Sequence, residues 1–164
     1  MTGGFVALFL STVVNKVDRK GRVSVPAGMR AALSAQPFQG IVAFRSFRSP
    51  AIEGWSIDLL NRLADSLDEM ELFSETRDDL ASAIFADAHQ LPFDGEGRIV
   101  LPEALAQHAG ITTDAAFVGR GDTFQIWNPA TFEAHAEKAR ERVKNQAMLP
   151  RLRRPAPDRN GEGA

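Results

Sequence analysis

Asp18-Arg19-Lys20-Gly21-Arg22-Val23-Ser24-Val25-Pro26 returns 76 residues later as Asp94-Gly95-Glu96-Gly97-Arg98-Ile99-Val100-Leu101-Pro102. Both stretches read Asp-x-x-Gly-Arg, three mostly apolar residues, then proline. A second landmark, Trp55-Ser56-Ile57, is answered by Trp127-Asn128-Pro129 at an offset of 72. The first copy is therefore four residues longer between its proline and its tryptophan. Two landmarks in the same order mark a tandem duplication, a signal that decides the architecture before any single element is read.

Each copy translates into the same elements. Thr12–Val17 and Gln90–Phe93 precede the motif, Arg22–Val25 and Arg98–Leu101 follow it, and all have strand character. Asp-x-x-Gly between strands predicts a hairpin turn: the carboxylates of Asp18 and Asp94 accept backbone N–H bonds, and Gly21 and Gly97 supply positive φ. Pro26 and Pro102 suit the first position of a helix, giving helices over 26–35 and 102–109, the second closed by Gly110. Ile41–Phe47 with Ala51–Trp55, and Ala115–Val118 with Thr123–Trp127, read as a second hairpin per copy. A helix then follows in each, capped by Ser56 or Asn128. Trp55 faces Leu60, and Trp127 faces Phe132, at the spacing of a hydrophobic staple. A bridging helix is expected at 75–86.

These elements divide the chain into an N-terminal extension (1–7), a first repeat (8–72), a bridge (73–86), a second repeat with its C-terminal helix (87–145) and a disordered tail (146–164). A copy of about 75 residues buries too little surface to stand well alone. The expected fold is mixed α/β with a mainly β core. It is a small, partly closed β-barrel with flanking helices, related by a pseudo-twofold axis, in which strands of each half complete the other's sheet. A parallel α/β sheet is disfavoured because the strands come in short hairpins.

Composition bounds the function. The 164 residues include no cysteine, which removes disulfide scaffolds, thiol catalysis and zinc-finger sites together. The longest apolar run, Phe5–Leu10, is far short of the ~20 residues of a membrane span, and no basic segment precedes it as in a secretory signal. A soluble cytoplasmic protein is expected. The net charge of −2 hides a segregation: residues 1–52 hold seven basic side chains and one acid, residues 53–103 three and thirteen, and residues 104–164 nine and seven. One end of the chain is therefore fit for a basic face despite a pI of about 5.9.

No catalytic set emerges. His89, His108 and His135 lie in different elements without ligand spacing, and the acids Asp65, Asp68, Glu69, Glu71, Glu75, Asp78 and Asp79 read as a solvated helix face, so no metal or cofactor is expected. There is no Gly-x-Ser-x-Gly and no phosphate-cradling glycine loop. Asp18 and Asp94 match across the pseudo-twofold, but their turn context makes them structural acceptors. Arg120-Gly121-Asp122 is the turn of the last hairpin.

What remains is the first hairpin, where Lys16, Arg19, Lys20 and Arg22 cluster. Arg22 leaves the turn with its direction set by the strand, and a positioned guanidinium can bond bidentately to phosphate or to guanine O6 and N7. The other reading of Arg22 is a structural ion pair with Asp18. The second tip carries Gly95 and Glu96 and suits a polyanion poorly. Arg98 there serves either the same contact or an ion pair with the acidic segment.

The paired motifs, each followed by a hairpin and a Trp-led helix, resemble the MraZ family, two-copy relatives of the AbrB and SpoVT DNA-binding domains. The resemblance runs from about Leu8 to Asn145 and includes both motifs, their spacing, Gly119 before the last hairpin, and Trp127-Asn128. It implies a swapped-hairpin, double-split barrel and a nucleoid-associated transcription regulator, usually a repressor, of the division and cell-wall gene cluster. It further implies a ring-shaped homo-oligomer reading short direct repeats in double-stranded DNA upstream of its own operon, with no membrane or small-molecule partner. Arg22 falls on the family's DNA-contacting arginine, with Arg19 and Lys20 as flanking backbone contacts and Arg98 as the counterpart in the second copy. Two departures stand out: Glu96 in the second tip, and a long first-copy hairpin between Ile41 and Trp55 that carries Arg45 and Arg48. An antitoxin-like AbrB relative that wraps a toxin with its tail, and a structural ring without a DNA role, are the other readings. Duplication speaks against the former, since such antitoxins are usually single-copy dimers.

Overall fold

Each Asp-x-x-Gly turn carries the chain from one sheet into another. In the computed structural model, which describes residues 8–147 and 149–155, β1 (Thr12–Lys16) lies before the first turn and β2 (Arg22–Ser24) after it. There follow α1 (Ala27–Ala32), β3 (Gly40–Arg45), β4 (Ala51–Trp55) and α2 (Ile57–Asp68). The bridge is α3 (Glu75–Leu80) continued by a π-helical turn, Ala81–Phe85. The second half repeats the order: β5 (His89–Pro92), β6 (Arg98–Val100), α4 (Glu103–Ala109), β7 (Asp114–Gly119), β8 (Phe124–Trp127) and α5 (Pro129–Gln146). The chain divides between Phe132 and Glu133 into two units. The first holds all eight of these strands, and the second contains the remainder of α5.

The strands form a six-stranded sheet in the order β1-β7-β8-β4-β3-β5 and a separate ribbon of β2 and β6, all paired antiparallel. The halves exchange partners at every ladder except the two hairpins, β3–β4 and β7–β8. β1 of the first half pairs with β7 of the second, β5 of the second with β3 of the first, and β4 pairs with β8. These strands do not close on themselves: the six-stranded sheet ends at β1 on one side and β5 on the other. Between β1 and β2 the pairing stops after one bridge, Val17 to Val23, because both strands take their ladders from the opposite half. The expected hairpin is thus a turn between two sheets. Asn15 Nδ2 donates to the Ser24 carbonyl at 2.8 Å and ties the two sheets beside it.

The core follows the period-two alternation of the ribbon. Val23, Val25, Ile99 and Leu101 turn inward and are buried with Met29 of α1, with Leu33 at its end, and with Leu105 and Ala109 of α4. Each such fully buried aliphatic side chain contributes about 1.5–3 kcal/mol, so the ribbon is anchored from beneath along its length. Within β8 Trp127 Nε1 donates to Gln125 Oε1 at 2.8 Å, and across to β4 Gln125 Nε2 donates to Glu53 Oε2 at 2.6 Å.

Several local expectations shift. Pro26 and Pro102 stand at the N-cap, with φ of −52° and −58°, one position before the helix proper. The first short helix ends at Ala32, and residues 33–35 form turns. Gly110 closes α4 in the left-handed conformation, as expected. Ser56 accepts from the Leu59 N–H, and Asn128 Oδ1 from Ala130 and Thr131. The Trp127–Phe132 staple forms at 5.5 Å between ring centres, whereas Trp55 packs edge-on against Phe44 at 5.1 Å. The four extra residues of the first copy are split. Trp55 opposes Val42 and Trp127 opposes Ala116, so β3 and β7 correspond at an offset of 74. Two extra residues therefore precede β3, and two lengthen the β3–β4 loop. Residues 149–155 carry no helix or strand. The extension at 1–7 and the tail beyond 155 lie outside the described residues.

Candidate nucleic-acid interface

Asp18 organises its turn through every acceptor it has. Its Oδ1 takes the N–H groups of Lys20 and Arg22, both at 2.9 Å, and its Oδ2 takes Arg22 Nε at 2.6 Å. The turn closes with Asp18 N–H to the Arg22 carbonyl and Gly21 N–H to the Asp18 carbonyl, each 3.0 Å. Gly21 stands at φ +80°, which a side-chain-bearing residue adopts only at a cost. Asp94, Glu96, Gly97 and Arg98 repeat this geometry, with Arg98 Nε at 2.8 Å from Asp94 Oδ2. The N–H of Arg22, chiefly, and then its guanidinium hold the Asp18 carboxyl below the ordinary carboxylate range, against the opposing effect of burial; Asp94 is lowered by the N–H of Arg98, then by the N–H of Glu96 and the Arg98 guanidinium.

The two turns are joined back to back. Val25 N–H donates to the Gly97 carbonyl at 3.1 Å, and Leu101 N–H to the Gly21 carbonyl at 2.9 Å. Between them Arg22 opposes Val100, Val23 opposes Ile99 and Ser24 opposes Arg98. With Val23 and Ile99 pointing into the core, the alternation of a strand turns Arg22, Ser24, Arg98 and Val100 to the opposite, outward face. That face carries two arginines, one from each copy, on a two-stranded ribbon.

The arginines are not equivalent. Arg22 gives Nε to Asp18, and among the described residues nothing engages its two terminal amines. The ion pair and a ligand contact are therefore compatible: the aspartate aims the guanidinium and leaves its fork open. Arg98 gives Nε to Asp94, and its Nη1 lies 3.6 Å from Glu96. Its positive charge is stabilised by Asp94 above all, and also by Glu96 and by Asp18 from the other turn. Arg19 and Lys20 stand exposed on the first turn. Lys16 is placed apart, at the end of β1 in register with Asp114.

One residue was missed by matching the copies position by position. Arg30 on α1 corresponds to Ala106 in the second copy, so the repeat itself gives it no counterpart. Its Nε donates to the Val25 carbonyl at 3.1 Å and its guanidinium lies over Gly97. It borders a recess of about 400 Å³ with Gln39, Phe93 and Gly95. The signal available in the sequence was a charge unmatched between otherwise matched copies.

The histidines lie in β5, α4 and α5. Among the described residues no three His, Asp or Glu side chains gather as metal ligands would, and no helix is long and apolar enough to cross a membrane.

A family model described as "MraZ protein, putative antitoxin-like" matches residues 84–152, the second half of the duplication. A transcriptional regulator MraZ of Gluconobacter oxydans (strain 621H) is 47% identical over 154 residues, covering 92% of this chain and 92% of that protein. A transcriptional regulator MraZ of Rickettsia akari (strain Hartford) is 44% identical over 144 residues, 88% of this chain and 97% of its own length. One from Gluconacetobacter diazotrophicus is 43% identical over 152 residues. These relatives bear the name of a regulator and not of an enzyme, and their similarity spans both turns.

Proposed function

Because the chain belongs to the MraZ family, we propose that it is a sequence-specific DNA-binding transcription regulator that reads DNA through the outward face of the β2–β6 ribbon. The observation that carries this reading is Arg22, held by Asp18 through Nε with its terminal amines open. It stands beside the exposed Arg19 and Lys20 on a ribbon of the width the major groove admits. Arg22 contacts base edges or phosphate, while Arg19, Lys20 and Lys16 contribute to the backbone. Arg98 contributes less, since Glu96 and Asp94 already neutralise it.

The finer reading is a repressor, nucleoid-associated in the cytoplasm, of the division and cell-wall gene cluster, built of two AbrB-like repeats at 8–72 and 87–145 linked through 73–86. Their exchanged strands are read as a swapped-hairpin, double-split barrel. One tip neutralises few phosphates, so a single copy binds weakly and with strong salt dependence. A ring of copies engaging short direct repeats about one helical turn apart turns such contacts into avidity.

Fluorescence anisotropy on DNA upstream of the protein's own gene, at two salt concentrations, tests the reading, with oligomer size checked by light scattering. Tight, salt-sensitive binding that an intact Arg22→Ala oligomer loses is the expected result. Equal, weak binding of wild type and Arg22→Ala to any DNA overturns ribbon readout, and moves the reading to a structural ring or an antitoxin-like partner role.

A further inference from the structure

Two of the most exposed large apolar residues in the first unit sit in oppositely charged settings. Phe73 is 93% exposed and its neighbour Leu72 68%, at the bend between α2 and α3. Glu69, Glu71 and Glu75 surround them, all exposed and without an ion-pair partner among the described residues. The bend is fixed rather than loose: Arg77 Nε donates to the Leu67 carbonyl at 3.1 Å and its Nη1 to the Leu72 carbonyl at 3.4 Å. Phe47 is 67% exposed, on the lengthened β3–β4 loop. Beside it are Arg45, whose guanidinium is held by Asp87 at 2.8 Å, and Arg48, whose side chain has no partner among the described residues. Phe47 borders an open recess of about 410 Å³ with Ala83, Ala86 and His108, ample for an aromatic side chain; Asp87 also lines it, its carboxylate taken up by Arg45, which leaves Arg48 as the unpaired charge of the loop.

We propose that Leu72 and Phe73 of one copy dock in the recess beside Phe47 of a second copy, with Glu69 and Glu71 facing Arg48. Charge complementarity selects the occupant. An acidic loop with an aromatic tip fits a basic loop with an aromatic wall, and like-charged loops of two copies would repel. Both surfaces border the same bridging segment on different sides: Ala81 and Phe85 border the groove beside Leu72, whereas Ala83 and Ala86 border the recess. Donor and acceptor being different patches, the contact is heterologous, and each copy can give one such contact and receive another. The β3–β4 loop residues absent from the second copy thereby gain a purpose. This inference rests on the assembly part of the function proposed above, and not on its DNA part.

The chain has no cysteine, so single cysteines report the contact directly. Phe47→Cys and Leu72→Cys proteins with different tags, co-produced in one cell, are expected to form a mixed disulfide of twice 17.9 kDa on mild oxidation. Phe73→Ala, at a site too exposed to affect folding, should raise the concentration needed for assembly tenfold or more by light scattering. Arg48→Glu and Glu71→Arg should each do the same, and their combination should restore assembly. Wild-type assembly with no mixed disulfide and no effect of Phe73→Ala overturns this contact while leaving assembly intact. A wild type that is monomeric at all concentrations overturns both.

Discussion

The guanidinium of Arg30 lies across Gly97, so close that a methyl group on Gly97 would fall 2.6 Å from its central carbon. Gly97 also stands at φ +76°, which costs a residue with a side chain about 1–2 kcal/mol. A helix of the first copy thus braces the turn of the second.

Gly97→Ala should therefore destabilise the protein by roughly 1–3 kcal/mol, combining backbone strain with crowding. In an Arg30→Ala background the crowding disappears and only the strain remains. A double-mutant cycle by urea denaturation is expected to give a coupling of at least about 0.5 kcal/mol. Additive effects would mean that Arg30 does not press on the turn.

Arg22→Ala is expected to weaken operator binding by roughly tenfold to a hundredfold per engaged copy, the worth of a bidentate base contact, and Arg98→Ala by less. Glu96→Lys should act in the opposite direction. It frees Arg98 and adds a cation, raising affinity for all DNA and steepening the salt dependence. Anisotropy titrations over a range of salt concentrations separate these outcomes.

The ion-paired turns predict a pH response. Asp18 and Asp94 have their carboxyls lowered, so their contribution is fully present above the ordinary carboxylate value and is lost only as pH falls through the lowered one. From pH 8 to 5 these turns should leave stability flat, with loss confined to strongly acid solution. Asp18→Asn removes the charge that aims Arg22. It is expected to weaken DNA binding at pH 7 while circular dichroism stays unchanged.

A third pair of substitutions separates packing from propensity. A methyl on Gly54 would overlap the Phe124 ring across the β4–β8 pair, so Gly54→Ala should cost roughly 1–3 kcal/mol. Gly28 in α1 has open space around its Cα, and Gly28→Ala should stabilise by up to about 1 kcal/mol. Thermal melts of the two should move in opposite directions.

The duplication carried most of what could be read from the chain. Asp18, Gly21 and Arg22 against Asp94, Gly97 and Arg98 revealed the turns, and the caps at Ser56 and Asn128 located the long helices, because these depend on neighbours within four residues. Strand pairing depends on residues far apart, so a hairpin was expected at Asp18 where the chain in fact changes sheets. The division of the four extra residues also needed the register of Trp55 with Val42. At the site, the open fork of Arg22 and the Glu96 contact of Arg98 are matters of distance, and Arg30 reaches the second turn only through the fold.

The partner exchange has a consequence for biosynthesis. β1 waits for β7, whose paired residues lie about 100 positions further along. At a translation rate of roughly 5–20 residues per second, that is roughly 5–20 s in which a finished strand has nothing to pair with. Neither half can become native on the ribosome ahead of the other. A chain truncated between the copies would leave β1 and β2 without their pairing strands.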